Sequence, residues 1–395
     1  MSWWHAHWEA VVAFGLGLLW LSRLIAAARG MPTVAEISRP EWDVQPDPAP
    51  RVSIVVCALD EEGKIEPALR SLLELDYPDY EVVAVDDRST DRTGAIMDRI
   101  AEEYRANEHH HLRVVHVTEL PQGWLGKVHA MWSATNVASG DWILFTDADV
   151  VFRKDALRRA VAYAERERAD HLVLFPTMLM YTWGERMMIA FFQAMFVFGH
   201  RPWKTADPKS RDHMGVGAFN LVRRNVYEKI GTYARMKLAV VDDMKLGEIV
   251  KREGFAQRNV FGRDLIQLHW HSGALGVVRG LTKNFFAILR FNAFAALGVI
   301  LGILVFNLTP FVGVVLAHDW ARAGYGLALL ALGGIYYGMA DRSRVPWYYV
   351  VLHPISTVLF AYAVARSMFV TLAQDGIDWR GTHYSLRELR KGVDV

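Results

Sequence analysis

The chain has 395 residues, 52% of them hydrophobic, and its 44 lysines and arginines nearly balance 43 aspartates and glutamates, leaving a net charge of +1. That balance gives no global field to draw nucleic acid or an acidic polymer, and a single cysteine, Cys57, excludes both an internal disulfide framework and a thiolate zinc site. The length exceeds one ordinary domain and the apolar share is high for a wholly soluble protein, so a polar domain with several membrane spans is expected.

Residues 10–28 (AVVAFGLGLLWLSRLIAAA) approach the roughly 20 residues a helix needs to cross a bilayer. A cleavable leader carries its positive charge ahead of the apolar core. Here Glu9 precedes the core, Arg23 interrupts it and Arg29 follows. An uncleaved anchor is expected over residues 1–30, with the downstream side cytoplasmic. Residues 31–50 are rich in proline and acids toward their end and read as a linker.

From Arg51 short apolar runs alternate with amphipathic stretches. The pattern predicts strands over 52–58, 80–85, 112–117 and 142–146, with helices over 65–75, 90–104 and 126–138. Such alternation implies parallel pairing, with ligands gathered at the carboxyl ends of the strands. Asp60, Asp86, Asp87, Asp147 and Asp149 all fall just after predicted strands. His109, His110 and His111 are adjacent in a polar stretch; adjacent rings do not converge on one ion, so a solvated loop is expected there.

Asp147 and Asp149 are two apart, so an extended backbone points both the same way, which suits a hard divalent cation with positions open to substrate phosphate oxygens. Asp86 and Asp87 precede Ser89, Thr90 and Asp91, any of which can cap the next helix. Capping accounts for Asp91, whereas the paired acids at the strand end point to a base NH or a ribose hydroxyl. Lys127 sits where the glycine-containing loop Gly123–Gly126 meets a helix, open to phosphate or base contacts and also consistent with a surface lysine. Asp242 and Asp243 either cap the following helix or, because adjacent like charges oppose each other's ionisation, provide a base. Gly215 and Gly217 mark a turn in which backbone approaches a ligand, or an ordinary tight turn. Residues 183–203 are rich in methionine and aromatics and read as an interfacial lipid groove or as a buried helix.

Apolar segments return at 293–317, 321–340 and 346–372, each long enough to span. Arg279, Lys283 and Arg290 precede them on a stretch that fits an interfacial helix whose cations meet phosphates. The tail 379–384 (WRGTHY) is dense in aromatic and cationic groups.

With these pieces placed, the chain resembles the glycosyltransferase family 2 enzymes of the GT-A fold. SIVVCALDEE, VVAVDDRSTDRT, GWLGKVHAM, LFTDADV, VGAFNLVRRNVYEKIGTY and VVDDMKLG look like that family's successive motifs. The anchor, the terminal apolar segments and WRGTHY look like its lipid-modifying branch, similar to hopanoid-associated, carotenoid or ceramide glycosyltransferases. Asp60 stands where Asn is common, and the Gln-x-x-Arg-Trp signature of processive synthases is not evident, which argues against polymer synthesis.

The resemblance implies an α/β GT-A domain, Rossmann-like, with one N-terminal and two to three C-terminal transmembrane helices. It implies a cytoplasmic domain over 51–268, an interfacial region over 269–292, transmembrane segments over 293–373 and a basic tail over 374–395, in a multi-pass inner-membrane protein. It assigns Asp60, Glu61, Asp86, Asp87, Lys127 and Asp147 to a nucleotide-sugar donor, UDP-sugars foremost. Asp147 and Asp149 would take Mg²⁺ or Mn²⁺, and Asp243 with Asp242 would be the catalytic acids. Gly217, Phe219, Arg279, Lys283, Trp379 and Arg380 would lie toward a lipid acceptor or the interface. No nucleic-acid partner is expected. Two other readings are a haloacid-dehalogenase-like phosphohydrolase built on Asp147, and a membrane transporter or structural protein.

Overall fold

The computed structural model describes residues 3–105 and 110–392, and the chain divides into two compact units. One is built around a sheet from Val34–Leu179, Lys204–His269 and Asp378–Val395; the other is helical, from Met1–Thr33, Met180–Trp203 and Trp270–Ile377.

Helix α1 (Trp3–Gly30) is followed by a strict alternation of β1 (Val52–Ala58), α2 (Ile65–Leu73), β2 (Tyr80–Asp87), α3 (Thr93–Tyr104), β3 (His110–Val117), α4 (Gly126–Thr135) and β4 (Trp142–Asp147). Then come β5 (Val151–Phe152), α5 (Ala156–Arg166), β6 (His171–Phe175), β7 (Thr177–Met178), α6 (Trp183–Gly199), β8 (Asn220–Arg223), α7 (Arg224–Lys229), α8 (Asp242–Arg252), β9 (Gln257–Phe261) and β10 (Ile266–Leu268). The chain continues through α9 (Gly273–Leu281), α10 (Phe285–Ile288), α11 (Ala293–Leu316), α12 (Asp319–Ser343), α13 (His353–Ala373), β11 (Gly376–Trp379), β12 (Thr382–Ser385) and α14 (Leu386–Lys391). His109 lies outside the described residues, as do the side chains of His110 and His111.

Among the described residues seven strands form the main sheet, in the order β3-β2-β1-β4-β8-β6-β9. The strands β1 to β4 are parallel, and Val52, Ile54, Val55 and Val56 of β1 have no exposed surface. Burial on both faces is why these strands read as continuous apolar runs rather than alternating ones. The short β8 inserts antiparallel between β4 and β6. Four residues are too few for periodicity to reveal, so its place is a tertiary finding. Helix α3 starts at Thr93, later than expected, because the amides of Thr90 and Asp91 donate to the Asp60 carboxylate at 2.7 and 3.3 Å instead of opening a helix.

At the amino ends of the strands the buried Glu81 accepts from Ser53 Oγ at 2.7 Å and from the Ser139 amide and hydroxyl at 2.6 and 2.8 Å. Burial works against its charge, but these hydrogen bonds keep its carboxyl below the usual glutamate value.

The helical unit packs Trp20, Met187, Phe191, Val277, Leu332 and Phe360 into one cluster. The methionine-rich α6 is thus largely a buried helix, although Trp183 is 64% exposed at its start. A Cβ on Gly17 would lie 2.7 Å from the Gly324 carbonyl, so α1 and α12 approach as closely as small residues allow. His353, buried, joins Tyr336 OH at 3.0 Å and Asn307 Oδ1 at 2.9 Å, giving every polar atom of that trio an internal partner. Among the described residues four helices are long and apolar enough to cross a membrane: His7–Thr33, Ala293–Leu316, Asp319–Ser343 and Trp347–Ala373. Exposed Phe294, Leu301, Val315 and Leu316 on α11 are unfavourable in water and at home in lipid.

Glu81→Ala leaves Ser53 and the Ser139 amide short of a buried acceptor and should cost about 1–3 kcal/mol. The expected result is a lower melting temperature in detergent, read by circular dichroism; an unchanged transition would show that water replaces the carboxylate.

Candidate active site

The register sets the site. Ala58 of β1 pairs with Asp86 of β2, and Cys57 pairs with Asp147 of β4, so the acids that end these strands share one edge of the sheet. With β2 on one side of β1 and β4 on the other, the chain reverses its direction of progress here, where open α/β sheets bind ligands.

Lys127, in the first turn of α4, ties this edge together. Its Nζ lies 2.8 Å from Asp147 Oδ1 and 3.5 Å from Asp242 Oδ1, with only 24% of the side chain exposed. Burial opposes the ammonium charge, but Asp147, Asp242 and Asp243 outweigh it and hold the group above the ordinary lysine value. Asp243, at the start of α8, accepts the Gly217 amide at 2.8 Å through Oδ2 and the Met244 amide at 2.8 Å through Oδ1. Burial first, then the charge of Asp242, pushes its carboxyl up to about 6, with Lys127 pulling the other way. A carboxylate with that poise, oriented by two amides, can exchange a proton near neutral pH.

Glycines permit these approaches. A Cβ on Gly217 would fall 2.4 Å from Asp147 Oδ2, and one on Gly215 would fall 1.8 Å from the Asp243 carbonyl oxygen. Phe219 is different: it has no exposed surface and its ring centroid is 6.1 Å from that of Phe152, so the core uses it and it offers nothing to an acceptor in this conformation.

Asp60 has a left-handed backbone (φ 53°), and its carboxylate braces the loop after β2 through Thr90 and Asp91. Asp86 accepts the Ser89 amide at 3.2 Å and meets His116 Nδ1 at 3.0 Å, while His116 Nε2 meets Asp98 at 3.0 Å. Those hydrogen bonds, Asp86 first, raise the His116 pKa. Asp87 is gripped by Arg88 through Nε at 2.8 Å and Nη2 at 3.1 Å. Glu61 pairs with Arg380 at 2.6 Å. Arg279 and Lys283 belong to the helical unit and not to the sheet unit that gathers the acids.

Lys64, Arg88 and His116 were not singled out in the sequence, although His116 lies opposite Asp86 once β3 is paired with β2. The signal was available only through that register.

Asp147 and Asp149 have the oxygen donors that a hard divalent cation would take. Asp147 ends β4 while Asp149 follows in a turn rather than on the extended backbone expected; each offers a hard oxygen, and an ammonium holds one oxygen of each, Lys127 on Asp147 at 2.8 Å and Lys64 on Asp149 at 3.0 Å. Among the described residues no cluster of three or more His, Cys, Asp or Glu side chains could cage an ion, so diphosphate oxygens and water would complete the coordination.

Residues 53–231 match the family described as Glycosyl transferase family 2. Over those residues the chain is similar to the family 2 glycosyltransferases. It is 34% identical over 170 residues to a Beta-monoglucosyldiacylglycerol synthase of Synechocystis sp., covering 40% of this chain and 34% of that one, so it spans about a third of the length of this relative. It is 23% identical over 347 residues to a 4,4'-diaponeurosporenoate glycosyltransferase of Staphylococcus aureus, covering 85% of this chain and 88% of that one. A mannosyltransferase from Pyrobaculum calidifontis, solved with GDP-Man and Mn²⁺, superposes with a TM-score of 0.53 at 22% identity over 91% of this chain and 96% of that one. The mostly parallel sheet and this likeness give the domain the GT-A fold.

Gly217→Ala should leave the circular dichroism spectrum and melting temperature near wild type, because the strain is local. It should lower turnover about tenfold or more by shifting Asp147 and the amide that orients Asp243. Wild-type turnover would mean that the added methyl is absorbed without moving either acid.

Proposed function

We propose that the protein transfers a sugar from a nucleoside-diphosphate sugar to a hydroxyl of a membrane lipid, with inversion at the anomeric carbon. The observation that carries this reading is the Asp147–Lys127–Asp242 cluster beside the amide-held Asp243, at the carboxyl edge of a family 2 domain. The four apolar helices support a hydrophobic acceptor. So do the two relatives, which are named for a glucosylated diacylglycerol and for 4,4'-diaponeurosporenoate. The reading places the protein in the cell membrane as a multi-pass chain with its catalytic domain in the cytoplasm, consistent with a single cysteine and with Arg23 and Arg29 late in the first span.

In the proposed reaction Asp60, Glu61, Asp86 and Asp87 receive the nucleoside portion. Lys127 keeps the neighbouring carboxylates apart and compensated. Asp243 removes the acceptor proton as that oxygen attacks the anomeric carbon, and the bond from that carbon to the diphosphate oxygen breaks on the opposite face. The products are an inverted glycoside and a nucleoside diphosphate. A divalent cation held by Asp147 and Asp149 would supply charge neutralisation for the departing diphosphate.

Detergent-purified protein, given a panel of radiolabelled nucleotide sugars and total membrane lipids, should yield labelled product in the organic phase that disappears with chelator. Asp243→Asn should lower turnover about 10²- to 10⁴-fold while leaving nucleotide binding intact. Asp149→Ala should instead lose metal-dependent nucleotide binding. Because Asp243 works deprotonated, wild-type kcat/KM should fall as the pH drops through about 6. Near-normal turnover in Asp243→Asn would overturn the base assignment, and soluble labelled product alone would overturn the lipid acceptor.

A further inference from the structure

The hairpin of β11 and β12 follows the last apolar helix and lies outside residues 53–231 that match the family. Its turn, Trp379-Arg380-Gly381-Thr382, has φ of 48° at Arg380 and 76° at Gly381. Two positive values in succession are what a two-residue type I′ hairpin requires, and Asn, Asp or Gly ordinarily fills the first of these positions. Arginine adopts it only under strain, and strained backbone persists where the surroundings hold it in place.

Its side chain is held at both ends of the guanidinium. Nη1 donates to the Leu59 carbonyl at 2.5 Å and Nη2 to Glu61 Oε1 at 2.6 Å. Those partners flank Asp60, itself left-handed at φ 53°. The hairpin also reaches the loop after β2, where Arg88, at φ 63°, donates to Thr382 Oγ1 at 3.4 Å while gripping Asp87 with its other nitrogens. Its second strand meets the start of α4: the Gly126 amide donates to the buried Tyr384 hydroxyl at 3.0 Å. A Cβ on Gly126 would sit 2.7 Å from Asp87 Oδ2, so this junction is already at contact. Helix α14 anchors the far side, with Leu386 and Leu389 buried and Ser385 capping the Glu388 amide at 3.3 Å.

The two loops that carry Asp60, Glu61, Asp86 and Asp87, and the start of α4 that carries Lys127, are thus bound to one hairpin remote in sequence. The charges matter as well as the shape. A nucleoside diphosphate is an anion, and Asp60, Glu61, Asp86 and Asp87 would repel it; Arg380 on Glu61 and Arg88 on Asp87 offset two of those charges.

We propose that the β11–β12 hairpin is a positioning strap of the donor site, in which Arg380, Thr382 and Tyr384 hold the loops at Leu59–Glu61 and Asp87–Arg88 and the start of α4 ready for the nucleotide. The inference rests on the sugar-transfer reading and adds a determinant of donor affinity to it. Arg380 acts through Glu61 and the Leu59 carbonyl rather than on the reacting atoms.

The test uses the full chain in lipid nanodiscs, with UDP and GDP as calorimetric probes and the active donor for kinetics. Arg380→Ala should weaken nucleotide binding and raise donor KM about tenfold, with kcat changed less than about threefold. Arg380→Lys keeps a cation beside Glu61 and should retain more of that affinity than Arg380→Ala; a purely steric role would leave the two alike. Tyr384→Phe keeps the ring packed and should shift KM in the same direction by a smaller factor, so it carries the test if Arg380→Ala does not fold. Wild-type affinity and KM in both Arg380→Ala and Tyr384→Phe would overturn the strap alone. A wild-type protein that binds neither probe and transfers no sugar would overturn the underlying reading, and the strap with it.

Discussion

One largely buried ammonium, that of Lys127, makes the acidic edge of the sheet possible. Asp147, Asp242 and Asp243 come from two distant segments of the chain and would repel each other if gathered without a cation. Taking charges out of water is expensive, and the cost is met only where the geometry satisfies them. Lys127 does so from the first turn of α4, whose start is fixed in turn by Tyr384. The same cation sets the poise of Asp243, since it pulls against the burial and the Asp242 charge that raise that carboxyl. Structure and proposed chemistry therefore share one interaction.

Around this centre the backbone is bent into conformations that side chains resist. Asp60, Arg88 and Arg380 are all left-handed, and they meet through the hydrogen bonds that connect the ends of β1 and β2 with the β11–β12 hairpin. Gly126, Gly215 and Gly217 serve the opposite need, since each lies where a Cβ would strike Asp87, Asp243 or Asp147. Strain and close approach are thus gathered at one edge of the sheet, where the surroundings hold them in place.

The two units bury their apolar surface under different rules. The sheet unit hides β1 to β4 on both faces and closes its amino-terminal side with the Glu81 network. The helical unit leaves large apolar side chains of α11 exposed and joins the buried His353 to Tyr336 and Asn307 within itself. Internal satisfaction of that kind is what a lipid environment demands, because the hydrocarbon offers no competing partners.

By itself the sequence determined the alternating architecture, the placement of Asp60, Asp86, Asp147 and Asp149 at strand ends, and the four apolar helices, because each follows from local periodicity and from a run's length. It left the residues 183–203 open and, through the resemblance, set Phe219 toward an acceptor, since an apolar residue looks the same whether it faces a core or a ligand. Only the tertiary structure decided that β8 inserts antiparallel, that His116 flanks Asp86, that Lys64 and Lys127 hold the paired aspartates, and that Arg380 reaches Glu61. Those contacts join residues tens to hundreds of positions apart. Their partners are selected by strand register and by closure of a distant hairpin, and neither leaves a periodic trace in the chain.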